Sequence, residues 1–251
     1  MNRKAKKAKT SARFPRGRHQ PRRGGLPFLF VNFAITADGK IAFANRKFAP
    51  FGSARDREHM MELRATADAV MSGARTVDSG EVSLGPGGEK YRRLRIRRGL
   101  SEYNLRVIVS GSGSIDPKAH IFTKRFSPVI ILTTQRAGKQ IEKLRAVADD
   151  VKICGANEID FREALLWLRE KWNVKRLLCE GGGELNVALF RARLVDELHL
   201  TICPTIFGGN TAPTLADGTG NATLADAAPL ALSSSKRIGD EMLLVYRAIE
   251  R

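Results

Sequence analysis

The 251-residue chain has three cysteines, four histidines and no apolar run approaching 18 residues, and each shortage removes a class of protein. Cys154, Cys179 and Cys203 are odd in number and lie far apart within apolar runs, which supports neither a disulfide framework nor paired zinc ligands. Buried, reduced thiols in a cytoplasmic protein are the expectation. The histidines are scattered at positions 19, 59, 120 and 199 and are expected to be structural or exposed; no metal cluster is expected. Without a long apolar run, no membrane-spanning helix is expected. Acidic residues are missing from residues 1–25, which hold ten Lys or Arg; setting these aside lowers the net charge from +17 to +7. That stretch is also nearly free of apolar residues, so residues 1–26 are expected to form a disordered basic tail rather than a secretory signal. It fits a solvated tail, a salt-sensitive nucleic-acid contact or an organelle transit sequence, the last opposed by scarce serine.

With 43% apolar residues, the remainder can bury a substantial core. No repeat or internal linker interrupts it, so residues 27–251 are expected to be a single domain. Apolar runs at Phe28–Ile35, Asp68–Ser72, Leu105–Ser110, Val129–Leu132, Val151–Cys154, Lys175–Cys179, Val195–Cys203 and Met242–Ile249 read as strands. Ser53 with Asp56, and Asp160 with Glu163, are spaced to cap helices. The first of these helices would run through Arg64. The second carries Phe161, Leu165, Leu168 and Trp172 on one face. A further helix is expected over Arg136–Ala148, and residues 78–104 read as a long Gly- and Arg-rich functional loop. Alternating strands and helices imply a mostly parallel sheet covered on both faces. The last two strands lack a helical pattern between them, which suggests an antiparallel edge.

One run concentrates the chemistry: Lys175-Arg-Leu-Leu-Cys-Glu-Gly-Gly-Gly-Glu-Leu-Asn186. It reads as a buried strand, a glycine turn and a helix opening near Glu184. Glycine lets the backbone turn sharply and lets an anion approach its N–H groups, and the helix end adds open donors. Asn186 stands where a dinucleotide fingerprint would have its third glycine, and an ordinary tight strand-to-helix turn is the simpler reading of the run alone. Downstream come Leu194-Val-Asp-Glu-Leu-His-Leu-Thr-Ile-Cys-Pro-Thr-Ile-Phe-Gly-Gly209 and Ala212-Pro-Thr-Leu-Ala-Asp217. Upstream are Ala37-Asp-Gly-Lys-Ile-Ala42 and Leu63-Arg-Ala-Thr-Ala-Asp-Ala-Val-Met-Ser-Gly-Ala-Arg-Thr-Val77.

In order and spacing, from about Phe28 onward, these blocks resemble the reductase domain of riboflavin biosynthesis. The resemblance implies an α/β, dihydrofolate-reductase-like three-layer fold with a mostly parallel mixed sheet of about eight strands. It implies NADPH as cofactor, a phosphorylated pyrimidine as substrate and a homodimer. The reaction implied is reduction of a ribosylamino group to ribitylamino, as in 5-amino-6-(5-phosphoribosylamino)uracil reductase or its 2,5-diaminopyrimidinone counterpart. By resemblance, Ile35, Thr76, Ser110, Gly111, Gly181, Gly182, Gly183, Glu184 and Leu185 would contact the cofactor, with Ser110 in the region of the 2′-phosphate. Asn32, Arg64 and Leu84 would lie on the substrate side. Asp38 and Glu180 would be the catalytic pair, accepting hydrogen bonds or, if burial raised a pKa, moving a proton. Simpler roles exist for each: Asp38 in a turn, Glu180 near a helix N-terminus, Arg64 at a helix C-terminus.

The chain departs from the family in three places. Asn32 stands where many bifunctional members carry lysine. Gly80, flanked by Asp78 and Glu81, replaces an aspartate. Gly87 replaces the arginine that usually grips the substrate phosphate, with Lys90, Arg92, Arg93, Arg95, Arg97 and Arg98 just beyond it. Those cations could take the phosphate or form a solvated basic loop. Neither H-x-E nor P-C-x-x-C occurs, so deamination is expected of another protein. Two alternatives remain at this stage. One is a reductase of similar fold acting on a pterin, folate or small carbonyl or imine. The other is a nucleic-acid-associated protein with a vestigial reductase fold.

Overall fold

The computed structural model describes residues 24–46, 50–80 and 82–249. The expected basic tail, apart from its last residues, and the candidate Glu81 lie outside the described residues.

Among the described residues, nine strands form one sheet: β1 (Phe28–Thr36), β2 (Ala69–Gly73), β3 (Leu105–Val109), β4 (Val129–Thr133), β5 (Asp150–Ile153), β6 (Arg176–Cys179), β7 (Glu197–Cys203), β8 (Leu230–Ile238) and β9 (Glu241–Ala248). Their spatial order is β5-β4-β3-β2-β6-β1-β7-β9-β8. The strands from β5 across to β7 are parallel, whereas β9 runs antiparallel to both β7 and β8. The sequence marks eight of these nine strands. It misses β8, Leu-Ala-Leu-Ser-Ser-Ser-Lys-Arg-Ile, because an edge strand solvated along almost its whole length needs no apolar pattern.

Among the described residues, seven helices complete the layers: α1 (Ala54–Arg64), α2 (Ala74–Asp78), α3 (Glu89–Arg97), α4 (His120–Thr123), α5 (Gln140–Val147), α6 (Phe161–Trp172) and α7 (Gly183–Arg191). Strand side chains alternate between two cores. Leu29, Val31, Met71, Leu177 and Cys179 pack with Leu165 and Leu168 of α6 and Leu189 of α7. Phe30, Val70, Ile108 and Leu178 face the other way, onto Leu63 of α1, Val77 of α2, Ile121 of α4 and Leu144 of α5. This period-two division produces the three layers. All three thiols are buried, and burial pushes Cys179 up to about 12. Among the described residues, no helix is long and apolar enough to cross a membrane.

Both predicted caps form. The Ser53 hydroxyl accepts from the Arg55 and Asp56 N–H groups, and the Asp160 carboxylate from the Glu163 N–H. The helix expected over Arg136–Ala148 is broken: Gln135–Ala137 is a 3-10 turn, and Gly138, with φ 49, precedes α5. Residues 78–104 also differ from the expected loop, because α3 lies within them. This helix has no apolar stripe to announce it. Its inward group is Arg95, 1% exposed, which donates to Arg64 O and Ala67 O at 2.7 and 2.6 Å and so satisfies carbonyls at the end of α1.

Candidate active site

Three neighbouring strands, β2, β6 and β1, end in turns on the same edge of the sheet, where open α/β sheets collect ligands. Beyond β6 the chain enters the glycine turn. A Cβ on Gly181 would lie 2.8 Å from Gly73 N and 3.0 Å from Ser72 Cα, so only glycine lets this turn approach the end of β2. Gly182 has φ 65 and caps α7 without a side chain. A Cβ there would meet Thr76 Oγ1 at 3.6 Å, which places that hydroxyl directly beside the turn. A Cβ on Gly183 would strike Thr214 O at 2.5 Å and Asp217 Oδ2 at 2.7 Å. The first intrahelical bond runs from Asn186 N to Gly182 O, leaving the N–H groups of Gly183, Glu184 and Leu185 as the open donors of α7. This cradle fits an anionic diphosphate: small, lined with N–H groups and at a positive dipole end.

The predicted cofactor residues are partly brought together. Thr76 and Gly181–Leu185 converge on one turn. Leu185 packs its side chain into the core, so its main chain is what faces the cradle. Glu184 points outward and pairs with Arg75. Ile35 is half-buried on β1, between the cradle and β7. Ser110 and Gly111 follow β3, one strand beyond β2. The Ser110 and Gly111 carbonyls accept from Thr133 and Thr134 hydroxyls at 2.8 and 2.7 Å.

On the other side, Arg64 and Glu180 form a bidentate pair: Arg64 Nε to Glu180 Oε1 at 2.7 Å and Nη2 to Oε2 at 2.6 Å. Arg64 Nη1 also donates to Gly85 O at 2.7 Å. The two side chains are 10% and 9% exposed, so the pair is close to fully desolvated, and each carboxylate oxygen retains a lone pair. Arg64 therefore joins α1, the Gly85 loop and the end of β6, rather than merely offsetting a helix dipole. Asn32 is 8% exposed on β1, and its Oδ1 is buried without a partner.

Leu84 and Asp38 are held closely by their surroundings. The Leu84 side chain, expected on the substrate side, is 1% exposed in the core and its backbone has φ 53, so its main chain is what a ligand would meet. The Asp38 carboxylate, expected in the catalytic pair, is exposed and accepts three hydrogen bonds from its own turn and the loop facing it. The Thr36 hydroxyl donates to it at 2.6 Å, Gly208 N at 2.7 Å and Phe207 N at 3.2 Å. The Thr36 bond first, then the two N–H groups, hold the Asp38 pKa at about 2 against the cost of desolvation. A carboxyl that low stays ionised at neutral pH and is a poor proton donor.

The basic cluster also resolves. Arg95 and Arg98 hold carbonyls at the end of α1, Arg92 pairs with Glu102, and Arg93 pairs with Glu89. Four of its cations are thus already engaged in structure. Sequence reasoning missed the strap over residues 212–217. Lys40 pairs with Thr214 in an antiparallel bridge, and Ile41 N donates to Pro213 O at 2.9 Å. Asp217 Oδ1 accepts from Thr214 N and its hydroxyl, while Asn186 Nδ2 donates to Leu215 O at 2.8 Å. The strap joins the Asp-Gly-Lys turn to the first turn of α7. Its only sequence signal is the Ala212–Asp217 block itself.

A chain from Methanothermobacter thermautotrophicus named 2,5-diamino-6-ribosylamino-4(3H)-pyrimidinone 5′-phosphate reductase is 30% identical over 220 residues, covering 88% of this chain and 97% of that one. A reductase of the same name from Aquifex aeolicus is 27% identical, covering 90% and 98%. Among solved structures, a pyrimidine reductase-like protein from Corynebacterium diphtheriae superposes with a TM-score of 0.73 at 20% identity, covering 90% of this chain and 93% of that one. Acinetobacter baumannii RibD superposes at 0.71 with 18% identity, and this chain spans 59% of its length. These structures share the fold expected from the sequence. The RibD C-terminal domain family matches residues 27–244, and the chain belongs to it.

Proposed function

We propose that the chain reduces the ribosylamino group of a pyrimidine 5′-phosphate to ribitylamino, with NADPH as reductant. The observation that carries this reading is that the glycine cradle follows β6 directly after Glu180, which Arg64 pairs with, while Asn32 of the adjacent β1 lies level with the end of β6. The names of the archaeal and Aquifex relatives favour the 2,5-diamino substrate over its deaminated counterpart. A homodimer and a cytoplasmic location belong to the same proposal.

Bound NADPH supplies the hydride. The protein's share is orientation, which can contribute several kcal/mol to a barrier. The N–H groups of Gly183, Glu184 and Leu185 would hold the diphosphate, with Thr76 beside them. The unpartnered Asn32 Oδ1 is an acceptor for a ring amino group. Glu180, fixed in orientation by Arg64, offers its remaining lone pairs to ribose hydroxyls or ring N–H groups. Asp38 shapes the entrance by stapling its turn to the Phe207–Gly208 loop.

The test is to mix the purified chain and NADPH with each of the two pyrimidine phosphates, following nicotinamide absorbance and product mass. Turnover with a gain of two hydrogens, faster on the 2,5-diamino compound, is expected. Absence of turnover on both compounds would overturn the assignment.

A further inference from the structure

One row of polar side chains crosses four neighbouring strands at the level where the glycine turn begins. Val31 of β1 and Met71 of β2 are both register partners of Cys179, the last residue of β6. The residues that follow them, Asn32, Ser72 and Glu180, therefore stand level. Asn32 is in turn the register partner of His199 on β7. All four side chains point to the α1 side of the sheet. They alternate with Val31, Met71, Cys179 and Leu198, which belong to the opposite core, and Glu180 meets Arg64 at the end of α1. Glu180 is satisfied by Arg64. The other three are not: Ser72 Oγ, Asn32 Oδ1 and His199 Nδ1 are each buried without a hydrogen-bond partner among the described residues.

His199 is held by its other nitrogen, with Nε2 2.7 Å from Glu197 Oε1. Burial pushes the Glu197 carboxyl up, but the His199 bond and the Arg247 and Arg176 charges outweigh it and keep the pKa below its usual value. Glu197 is therefore an ionised acceptor, and Nε2 carries the hydrogen. Arg247 stands 3.5 Å from the second oxygen of Glu197, so the carboxylate charge is met without an imidazolium. The remaining neighbours of the His199 ring are Phe30, at 6.1 Å, and His59 of α1, at 5.5 Å. Burial first, then His199, Arg55 and Lys236, hold His59 down to about 4, so it adds no charge at neutral pH. In a neutral His199 ring, Nδ1 is an acceptor and needs a donor. Its neighbour in the row, Asn32, carries one in Nδ2. A half-turn of the amide exchanges its two ends. Nδ2 then comes to the β7 side, against His199, and Oδ1 turns to the β6 side, toward Glu180 and the glycine turn.

We infer that His199 is a positioning residue for the substrate ring: it turns the Asn32 amide so that the oxygen, and not the nitrogen, meets the ring. An oxygen there accepts from the 2-amino group of the diamino compound, whereas it opposes lone pair to lone pair with the 2-oxo group of the deaminated one. This rests on the reductase reading and specifies which group of the chain selects the pyrimidine.

The test is kcat and KM of the full chain on both pyrimidine phosphates, with NADPH affinity measured alongside, for wild type, His199→Leu and His199→Asn. Leucine removes the acceptor; asparagine keeps a carbonyl oxygen near the place of Nδ1. The wild type should favour the diamino compound. His199→Leu should lower that preference about tenfold, the scale of one mismatched hydrogen bond, mostly through KM and with NADPH affinity unchanged. His199→Asn should keep most of the preference. An unchanged preference in His199→Leu, whether or not both activities fall, a preference lost in His199→Asn, or a wild type that favours the deaminated compound would overturn the role of His199 and leave the reductase reading standing. Turnover of neither compound by the wild type would overturn the reductase reading itself.

Discussion

The turns that leave β6 and β1 begin on neighbouring strands but use their polar groups in opposite ways. After β1, Asp38 is ringed by Thr36, Phe207 and Gly208, and its turn is bridged to residue 214. Most of its hydrogen-bonding capacity is taken up within its own chain. After β6, three glycines remove side chains from the turn, and the following helix opens with no side-chain cap. Its donors are left for something else. A strand-end carboxylate is therefore not a sufficient sign of catalysis. What separates a structural turn from a binding turn is whether its hydrogen-bonding groups are already satisfied.

The largest expected effect is at the link between these turns and α1. Glu180→Leu leaves Arg64 buried without its partner and should cost about 3–5 kcal/mol, read as a lower midpoint in urea unfolding. Arg64→Met with Glu180→Leu should regain much of that stability while turnover stays lost. Recovery of turnover in the double variant would show that the pair is purely structural.

A second expectation lies outside both turns and supplies their control. Burial first, then the neighbouring His199 and Arg55, hold the His59 pKa down at about 4. Because the folded value lies below the unfolded one, His59 contributes stability that is full above about pH 6.5. That contribution is lost as pH falls toward 4 and amounts to roughly 3 kcal/mol in all. His59→Leu should flatten stability across that window without changing NADPH affinity. An unchanged acid slope in the variant would place the sensitivity elsewhere.

Smaller again is Gly182→Ala, which forces a side chain into φ 65 and should cost about 1–2 kcal/mol, with weaker NADPH binding. The smallest effect should come from ionisation of Asp38. With its pKa lowered to about 2, its contribution is present above the ordinary value near 3.8 and is lost only as pH falls through about 2. The pH profile of kcat/KM should therefore be indistinguishable between wild type and Asp38→Asn from pH 5 to 9. A limb that vanishes in the variant would restore Asp38 as an acid.

Much of the fold was legible because burial imposes period. The eight strands with apolar runs, and the helices capped by Ser53 and Asp160, were readable from local pattern. β8 and α3 were not, since one is solvated along its length and the other docks through Arg95 rather than an apolar stripe. The glycine turn was legible because its residues are contiguous. The Arg64–Glu180 pair joins positions 116 apart, and no local spacing encodes that contact.

The central claim, that the turn after β6 holds the dinucleotide and the turn after β1 does not, is tested most directly by NADPH affinity of Gly183→Ala beside Asp38→Asn. A Cβ at Gly183 would collide with Thr214 O and Asp217, displacing the open donors of α7. The account predicts that Gly183→Ala loses NADPH at least about tenfold, while Asp38→Asn binds it like the wild type. Loss in Asp38→Asn with retention in Gly183→Ala would contradict it.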